Sequence, residues 1–422
     1  MKPYLPIALT ALLLLTAACS KSSTNPPDPQ LTLSADTGVI EAWLTITAED
    51  AGGTELRLTR DGVERMRFTA VAETTVVDTG LLPNHSYTYR TELLRNGKTA
   101  ASQTHTLTTM DTTSHDFQWE VFEFPSPYGS GVLRDVAIID EDDIWAVGEI
   151  YSDSAQPWLP YNALHWDGQQ WALMRIKTNA CGGVDYPPIE TVFAFSANDV
   201  LFAHIDGSIT RFDGVTFVND CNLITQLNGS ARKMWGRSSN DLYVVSSNGF
   251  IAHYDGANWQ RIESGTALPI NDVWGSENET TSEWEILCIA SNQFTNQGKQ
   301  LLRINNEGVT QLPDSGLSWA LNTVWHISGR KYFIGGDGLY HSRTVSSVWR
   351  RDESFPPYYK TAVRGSDLND IVVVGFRLMW YWNGLRWHNL RQAYMPEVFS
   401  GVDIRKNMLI ALGGTVVVIG RR

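Results

Sequence analysis

Between residues 31 and 109 the chain alternates apolar and polar positions in short runs: "LTLSA", "VIEAWLTITA", "ELRLTRDG", "VERMRFTA", "TTVVDTG", "SYTYRTELLRNG" and "KTAASQTHTLTT". A period of two places successive side chains on opposite faces, which is the signature of half-buried strands. Asp61-Gly62 and Asn96-Gly97 supply the residues that tolerate positive φ in tight hairpins. Seven short strands in about 80 residues predict a β-sandwich over 31–110.

From residue 132 a longer pattern recurs, clearest in "RKMWGRSSNDLYVVSSNGFIAHYDGANWQRI" at 232–262, with four alternating segments separated by turn residues. The same frame returns at the apolar anchors Val136, Val192, Met234, Val273, Val324, Val363 and Val402, and three of the gaps are 39 residues. An Asp stands seven places after the anchor at Asp143, Asp199, Asp241 and Asp370. A turn closing on Gly168, Gly214, Gly256 or Gly384 follows, with an aromatic three residues later at Trp171, Phe217, Trp259 or Trp387. The unit is a four-stranded antiparallel sheet with two apolar faces, which only neighbouring copies can cover. Radial stacking of such sheets makes a β-propeller over 116–422. The last copy, "VDIRKNMLIALGG" plus "TVVVIGRR", holds three strands, and "DFQWEVFEF" at 116–124 provides the missing outer strand, with Trp119 in the aromatic position. Six internal copies and one shared copy give seven blades; six or eight also fit, since copies four and five lack the Gly turn.

Two resemblances follow. "DTGLLPNHSYTYRTELLRNG" resembles the fibronectin type III pattern, in which a Leu-Pro corner precedes a buried tyrosine, here Tyr87; Trp43 stands earlier than that family's core tryptophan, so a generic immunoglobulin-like sandwich also fits. The longer repeats resemble the WGxSxND(V/L)Y and HYDGxxW propellers of bacterial surface lipoproteins. The expected fold class is all-β: an immunoglobulin- or fibronectin III-like sandwich, then a seven-bladed β-propeller closed by an N-terminal strand.

The amino terminus agrees with export. Lys2, an apolar run from Leu5 to Leu15, and the small residues Thr16, Ala17 and Ala18 read as a signal peptide over 1–18, too short to span a bilayer. "LTAAC" resembles a lipobox, which implies acylation of Cys19 and a membrane-anchored mature chain. Ser20 stands where an Asp would resemble an inner-membrane retention signal, so the expected location is the bacterial cell envelope at the outer membrane, in either the periplasmic or the surface leaflet. Residues 19–30 then form a tether stiffened by Pro26, Pro27 and Pro29, reaching roughly 30 Å if extended. Of the remaining cysteines, Cys181 and Cys221 fall in neighbouring loops and are expected to form a disulfide, while Cys288 lies in the apolar run "WEILCIA".

Composition narrows the function classes. The chain carries 33 basic and 46 acidic residues, for a net charge of −13, which argues against nucleic acid as a partner. It has 16 Trp, and Trp145, Trp171, Trp235, Trp259, Trp274, Trp325 and Trp387 take repeat positions, so much of this richness is packing. His165, Arg211 and His253 share one repeat column and read as packing residues. The acidic run Asp140 to Asp143 lacks the spaced oxygen ligands of a calcium loop. No hydrolase, zinc-protease, P-loop or dinucleotide motif is present. No catalysis, metal or cofactor is expected, and a monomer is expected.

The loops carry the functional reading. In an a-b-c-d antiparallel blade, the b–c and d–a loops share one face. Here they are long and hold Tyr128, Tyr151, Trp158, Tyr161, Tyr186, Phe355, Tyr358, Tyr359 and Tyr394. Exposed rings beside prolines suit recognition of a protein or a glycan. The rivals are a carbohydrate-active hydrolase or lyase, which requires carboxylates and cations converging at the channel mouth, and a structural scaffold of an envelope complex.

Overall fold

The structure, a computed structural model, describes residues 29–178, 181–182, 185–293, 295, 298–346 and 348–422. The expected signal segment and Cys19 lie outside the described residues. The chain divides into two compact units. One takes in the described residues up to Ala35, Leu44–Val76 and Tyr87–Leu107; the other takes in Asp36–Trp43, Val77–Ser86 and Thr108–Arg422. Among the described residues no helix is long and apolar enough to cross a membrane.

The amino-terminal strands are β1 (Gln30–Thr37), β2 (Glu41–Glu49), β3 (Glu55–Arg60), β4 (Val63–Thr69), β5 (Glu73–Thr79), β6 (Ser86–Arg95) and β7 (Lys98–Thr108). They form a three-stranded sheet, β1-β2-β5, and a four-stranded sheet, β4-β3-β6-β7. Leu56 and Leu58 on β3, with Tyr89 and Leu93 on β6, are buried at period two, as the sequence alternation requires. Asp61 and Asn96 adopt positive φ at the β3–β4 and β6–β7 hairpins. Tyr87 is buried.

Among the described residues, the second unit contains seven four-stranded antiparallel sheets. In the first, strands a to d are Val132–Asp140, Asp143–Ile150, Tyr161–Trp166 and Trp171–Met174. The a strands of sheets two to seven are Ile189–Ser196, Ala231–Ser238, Ile270–Asn278, Leu321–Ile327, Lys360–Asp367 and Gly401–Arg405. Each a strand neighbours the next, and the seventh neighbours the first, so the sheets close into a ring with strand a innermost. The outer strand of sheet seven is Gln118–Glu123, paired antiparallel to Val416–Arg421 from Val416↔Glu123 to Arg421↔Gln118.

Among the described residues, seven apolar clusters fill the spaces between adjacent sheets. Every anchor packs back on the preceding sheet: Val136 lies with Ile410 and Val417, Val192 with Trp145 and Val147, and Val402 with Val372 and Met379. The repeat therefore marks a two-faced sheet, because Ile144 and Ala146 face sheet seven while Trp145 between them faces sheet two. The Asp column pairs across strands b and c: Asp143 with His165 at 2.9 Å, Asp199 with Arg211 at 2.7 Å, Asp241 with His253 at 2.9 Å, and Asp370 with the Tyr381 hydroxyl at 2.6 Å. Cys288 is a buried free thiol.

Two histidines, His204 and His326, are fully buried, and burial lowers both to about 4 from 6.5. They fold neutral, whereas the unfolded chain protonates them below pH 6.5. Their contribution is thus intact above pH 6.5 and is lost as pH falls toward 4, by about 2 kcal/mol each at pH 5. Urea unfolding of His204→Gln and His326→Gln should therefore show a shallower loss of stability between pH 7 and 5 than the parent chain; an unchanged slope in both rejects the assignment.

Candidate functional site

The b–c and d–a loops open on the face where the a strands begin, so this face carries both the long loops and one mouth of the central channel. The structure distributes the nine expected rings unevenly over it. Trp158 is 69% exposed and Tyr394 64%, and Tyr128 and Tyr358 are also exposed. Tyr151, Tyr161, Tyr186 and Tyr359 are half-buried. The Tyr151 hydroxyl donates to Glu149 at 2.8 Å, and the Arg175 guanidinium lies over the Tyr161 ring at 4.3 Å. Burial pushes the Tyr359 phenol up, and among the described residues its oxygen has no hydrogen-bond partner.

Phe355 departs from expectation. It is a core residue, with its ring 5.0 Å from Trp380 and 4.7 Å from Trp387. Strand d of sheet five is only Arg350–Arg351, and Phe355, in the loop after it, packs in the apolar cluster between sheets five and six. Conversely, the structure adds two residues that the sequence reading missed. Phe376, in the b–c turn of sheet six, meets the Tyr358 ring edge-on at 5.7 Å and is bridged to Val398 in the following d–a loop. All three are exposed, making a continuous apolar patch flanked by the Arg377–Glu397 ion pair at 3.0 Å. Phe376 follows directly on the run "IVVVG" and reads in the sequence as one more strand residue.

Beside the patch, chain continuity leads from Tyr358 to Thr361 and from Val398 to Ser400, both at the channel mouth. Two residues before each anchor the side chain is polar: Arg134, Glu190, Arg232, Asn271, Asn322, Thr361 and Ser400. Six of these, all but Thr361, line with Gln293 a cavity of about 260 Å³ that adjoins a second of about 100 Å³. Carboxylates and cations do converge here. Arg134 pairs with Glu149 at 2.6 Å and with Glu190 at 3.1 Å, and burial raises the Glu190 carboxyl above the ordinary range.

Deeper in the channel, polar groups one position before or after the anchor tie three sheets at a time. Asp135 of sheet one accepts from the Thr191 hydroxyl and Val192 amide of sheet two, at 2.6 and 3.1 Å, and from Lys233 of sheet three at 2.5 Å. Asp272 of sheet four repeats this with Thr323 and Val324 of sheet five, at 2.7 and 3.0 Å, and with Arg364 of sheet six at 3.0 and 2.9 Å. Asp403 of sheet seven accepts the Ile138 amide of sheet one at 2.9 Å. These carboxylates are engaged in holding the ring. Among the described residues, no group of three or more His, Cys, Asp or Glu is placed to hold a metal. On the same face Cys181 and Cys221 are joined, with Cα atoms 5.3 Å apart, linking the loop after sheet one to the loop after sheet two.

Neither a protein-family model nor a curated protein matches this chain. Solved structures do. One described as "YCF48 bound to D1 peptide" is similar with a TM-score of 0.56 and 14% identity, over 74% of this chain and 100% of that one. The WD40 β-propeller domain of Doa1 gives a TM-score of 0.55 and 13% identity, over 73% and 97% respectively. The ring has the β-propeller fold. At these identities the likeness speaks to the propeller architecture, and the chemistry of the mouth must be argued from its own residues.

The Arg364–Asp272 pair offers a direct test of the straps, since both side chains are almost inaccessible. Asp272→Ala leaves a buried guanidinium without its counter-charge and should destabilise the chain by about 3–5 kcal/mol in denaturant unfolding. Replacing both, Asp272→Leu with Arg364→Met, should recover most of that loss. A single variant within about 0.5 kcal/mol of the parent would show that the pair does not constrain the ring.

Proposed function

We propose that this chain is an exported, lipid-anchored envelope protein, acylated at Cys19, whose fibronectin III-like sandwich spaces a seven-bladed propeller from the membrane. The propeller is a binding module that takes a protein partner on its long-loop face. The observation that carries the reading is the exposed Tyr358–Phe376–Val398 patch beside a polar channel mouth. An apolar centre with a polar, partly wet surround is the anatomy of protein recognition sites. The propeller that bears a bound D1 peptide supports a polypeptide ligand over a glycan. Seven four-stranded sheets support the blade count, and the sheet orders β1-β2-β5 and β4-β3-β6-β7 support the fibronectin-like assignment.

A second reading, a carbohydrate-active hydrolase or lyase, draws on the convergence of charge at the mouth. Its acid would be Glu190, whose carboxyl is raised by burial.

The face is tested by crosslinking the full-length protein in its own envelope, then repeating with Tyr358→Ser/Phe376→Ser and with Trp158→Ala. The double variant should lose a specific crosslinked partner by roughly thirtyfold, as removal of an interface hot spot does. Undiminished crosslinking in both variants overturns the reading, and retention on a glycan array with no protein crosslink replaces it with the glycan alternative. For the anchor, mass spectrometry of the mature terminus should show diacylglyceryl-modified Cys19; an unmodified terminus elsewhere removes that part of the proposal.

A further inference from the structure

The polar column at the mouth forms a belt of contacts between neighbouring sheets, and the belt can be followed bond by bond. Arg134 of sheet one reaches Glu190 of sheet two at 3.1 Å. Asn271 of sheet four donates to the Leu321 carbonyl of sheet five at 2.9 Å, and Asn322 of sheet five to the Thr361 carbonyl of sheet six at 2.5 Å. The Thr361 hydroxyl donates to the Phe399 carbonyl at the entry to sheet seven at 2.6 Å, and the Ser400 hydroxyl to the Leu133 carbonyl of sheet one at 2.6 Å. Among the described residues five of seven links are thus made, and the two that are missing flank Arg232 of sheet three.

Arg232 is exposed, and among the described residues it has no hydrogen-bond or ion-pair partner. The other donors of the cavity are engaged: Arg134 with two carboxylates, Asn271 and Asn322 with backbone carbonyls, and Gln293 with the Asn322 side-chain oxygen. The surrounding carboxylates are engaged elsewhere, Glu149 and Glu190 with Arg134, Asp135 with Lys233 and Asp272 with Arg364, and Arg232 acts on Glu190 electrostatically without an ion pair. A planar guanidinium with five free donors in a concave, otherwise saturated site is suited to two parallel hydrogen bonds from one carboxylate. In a ring of seven, sheet three stands across the mouth from sheets six and seven, which carry the apolar patch.

We infer that the mouth is a carboxylate subsite: a bound peptide rests an apolar side chain on the Tyr358–Phe376–Val398 patch and sets a carboxylate on Arg232. The inference rests on the protein-binding reading of this face and specifies the chemistry of the partner. The carboxylate comes from a free chain end or from an Asp or Glu side chain, and the geometry of the guanidinium serves either.

The test uses the full-length protein and three pools of random hexapeptides: acid-free sequences with a free terminal carboxyl, amidated sequences containing Asp and Glu, and amidated acid-free sequences. The first or second pool should be retained over the third, which identifies the source of the carboxylate. Arg232→Gln should lower that retention roughly tenfold or more, with Arg232→Lys recovering part of it. Phe376→Ser should weaken all three pools. Retention that is sensitive to Phe376 but equal among the pools and unaffected by Arg232→Gln overturns the carboxylate subsite and leaves the protein-binding face standing. Retention insensitive to both variants, or no retention of any pool, overturns the subsite and counts against the face as well.

Discussion

The ring depends on its closure. Each sheet is apolar on both faces, so no sheet is stable until it has a neighbour on each side, and the last neighbour exists only when residues 118–123 pair with 416–421. That pairing converts the seventh sheet from three strands to four and covers an edge that would otherwise be a template for association. A Cβ at Gly420 would lie 2.5 Å from the Trp119 ring, so this site requires glycine for Trp119 to lie against the strand. Arg422 reinforces the join by pairing with Asp370 of sheet six at 3.0 Å. The interaction is long-range in sequence, which makes it an entropically costly contact to form.

Hydrophobic contact between sheets sets their stacking but constrains poorly how far each a strand slides past its neighbour. The axial polar groups supply that second constraint. Asp135 and Asp272 each fix the backbone amide of the next anchor and a cation two sheets away, so a slip of one residue would leave a buried carboxylate without donors. Such pairs add little net stability over apolar replacements, because desolvation offsets their attraction. Their value lies in the penalty that they place on a misregistered ring. The straps span sheets one to three and four to six, and Asp403 joins seven to one.

The anchors, the Gly turns and the closing strand were legible because two-faced burial forces an apolar residue at a fixed place in every copy. The Asp column was legible as a column, although its partners across strands b and c, such as His165 and Arg211, were not. Phe355 was misread because prolines and tyrosines surround it in "SFPPYYK"; its packing against Trp380 and Trp387 of sheet six is long-range and has no local signature. The mouth column was written in the sequence as unbroken polarity two residues before each anchor. Its meaning needs the ring, since only there do residues 39 to 56 positions apart become adjacent. Which member lacks a partner is a property of the assembled belt alone.

The setting of Arg232 also bears on selectivity. A chain of net charge −13 repels acidic ligands at distances comparable to the Debye length, about 8–10 Å at physiological salt, while an unpaired guanidinium attracts them at contact. Added salt weakens both effects. A carboxylate held by one contact pair on such a surface therefore gains in approach what it loses in the bound state, and its affinity depends on ionic strength less than that of a basic receptor. Discrimination then falls to short-range geometry: the fork of Arg232 on one side of the mouth and the Tyr358–Phe376–Val398 patch on the other. A ligand that satisfies only one of the two forfeits either the charge-assisted bonds or the apolar burial. This favours a polypeptide long enough to reach both over a small anion that reaches one.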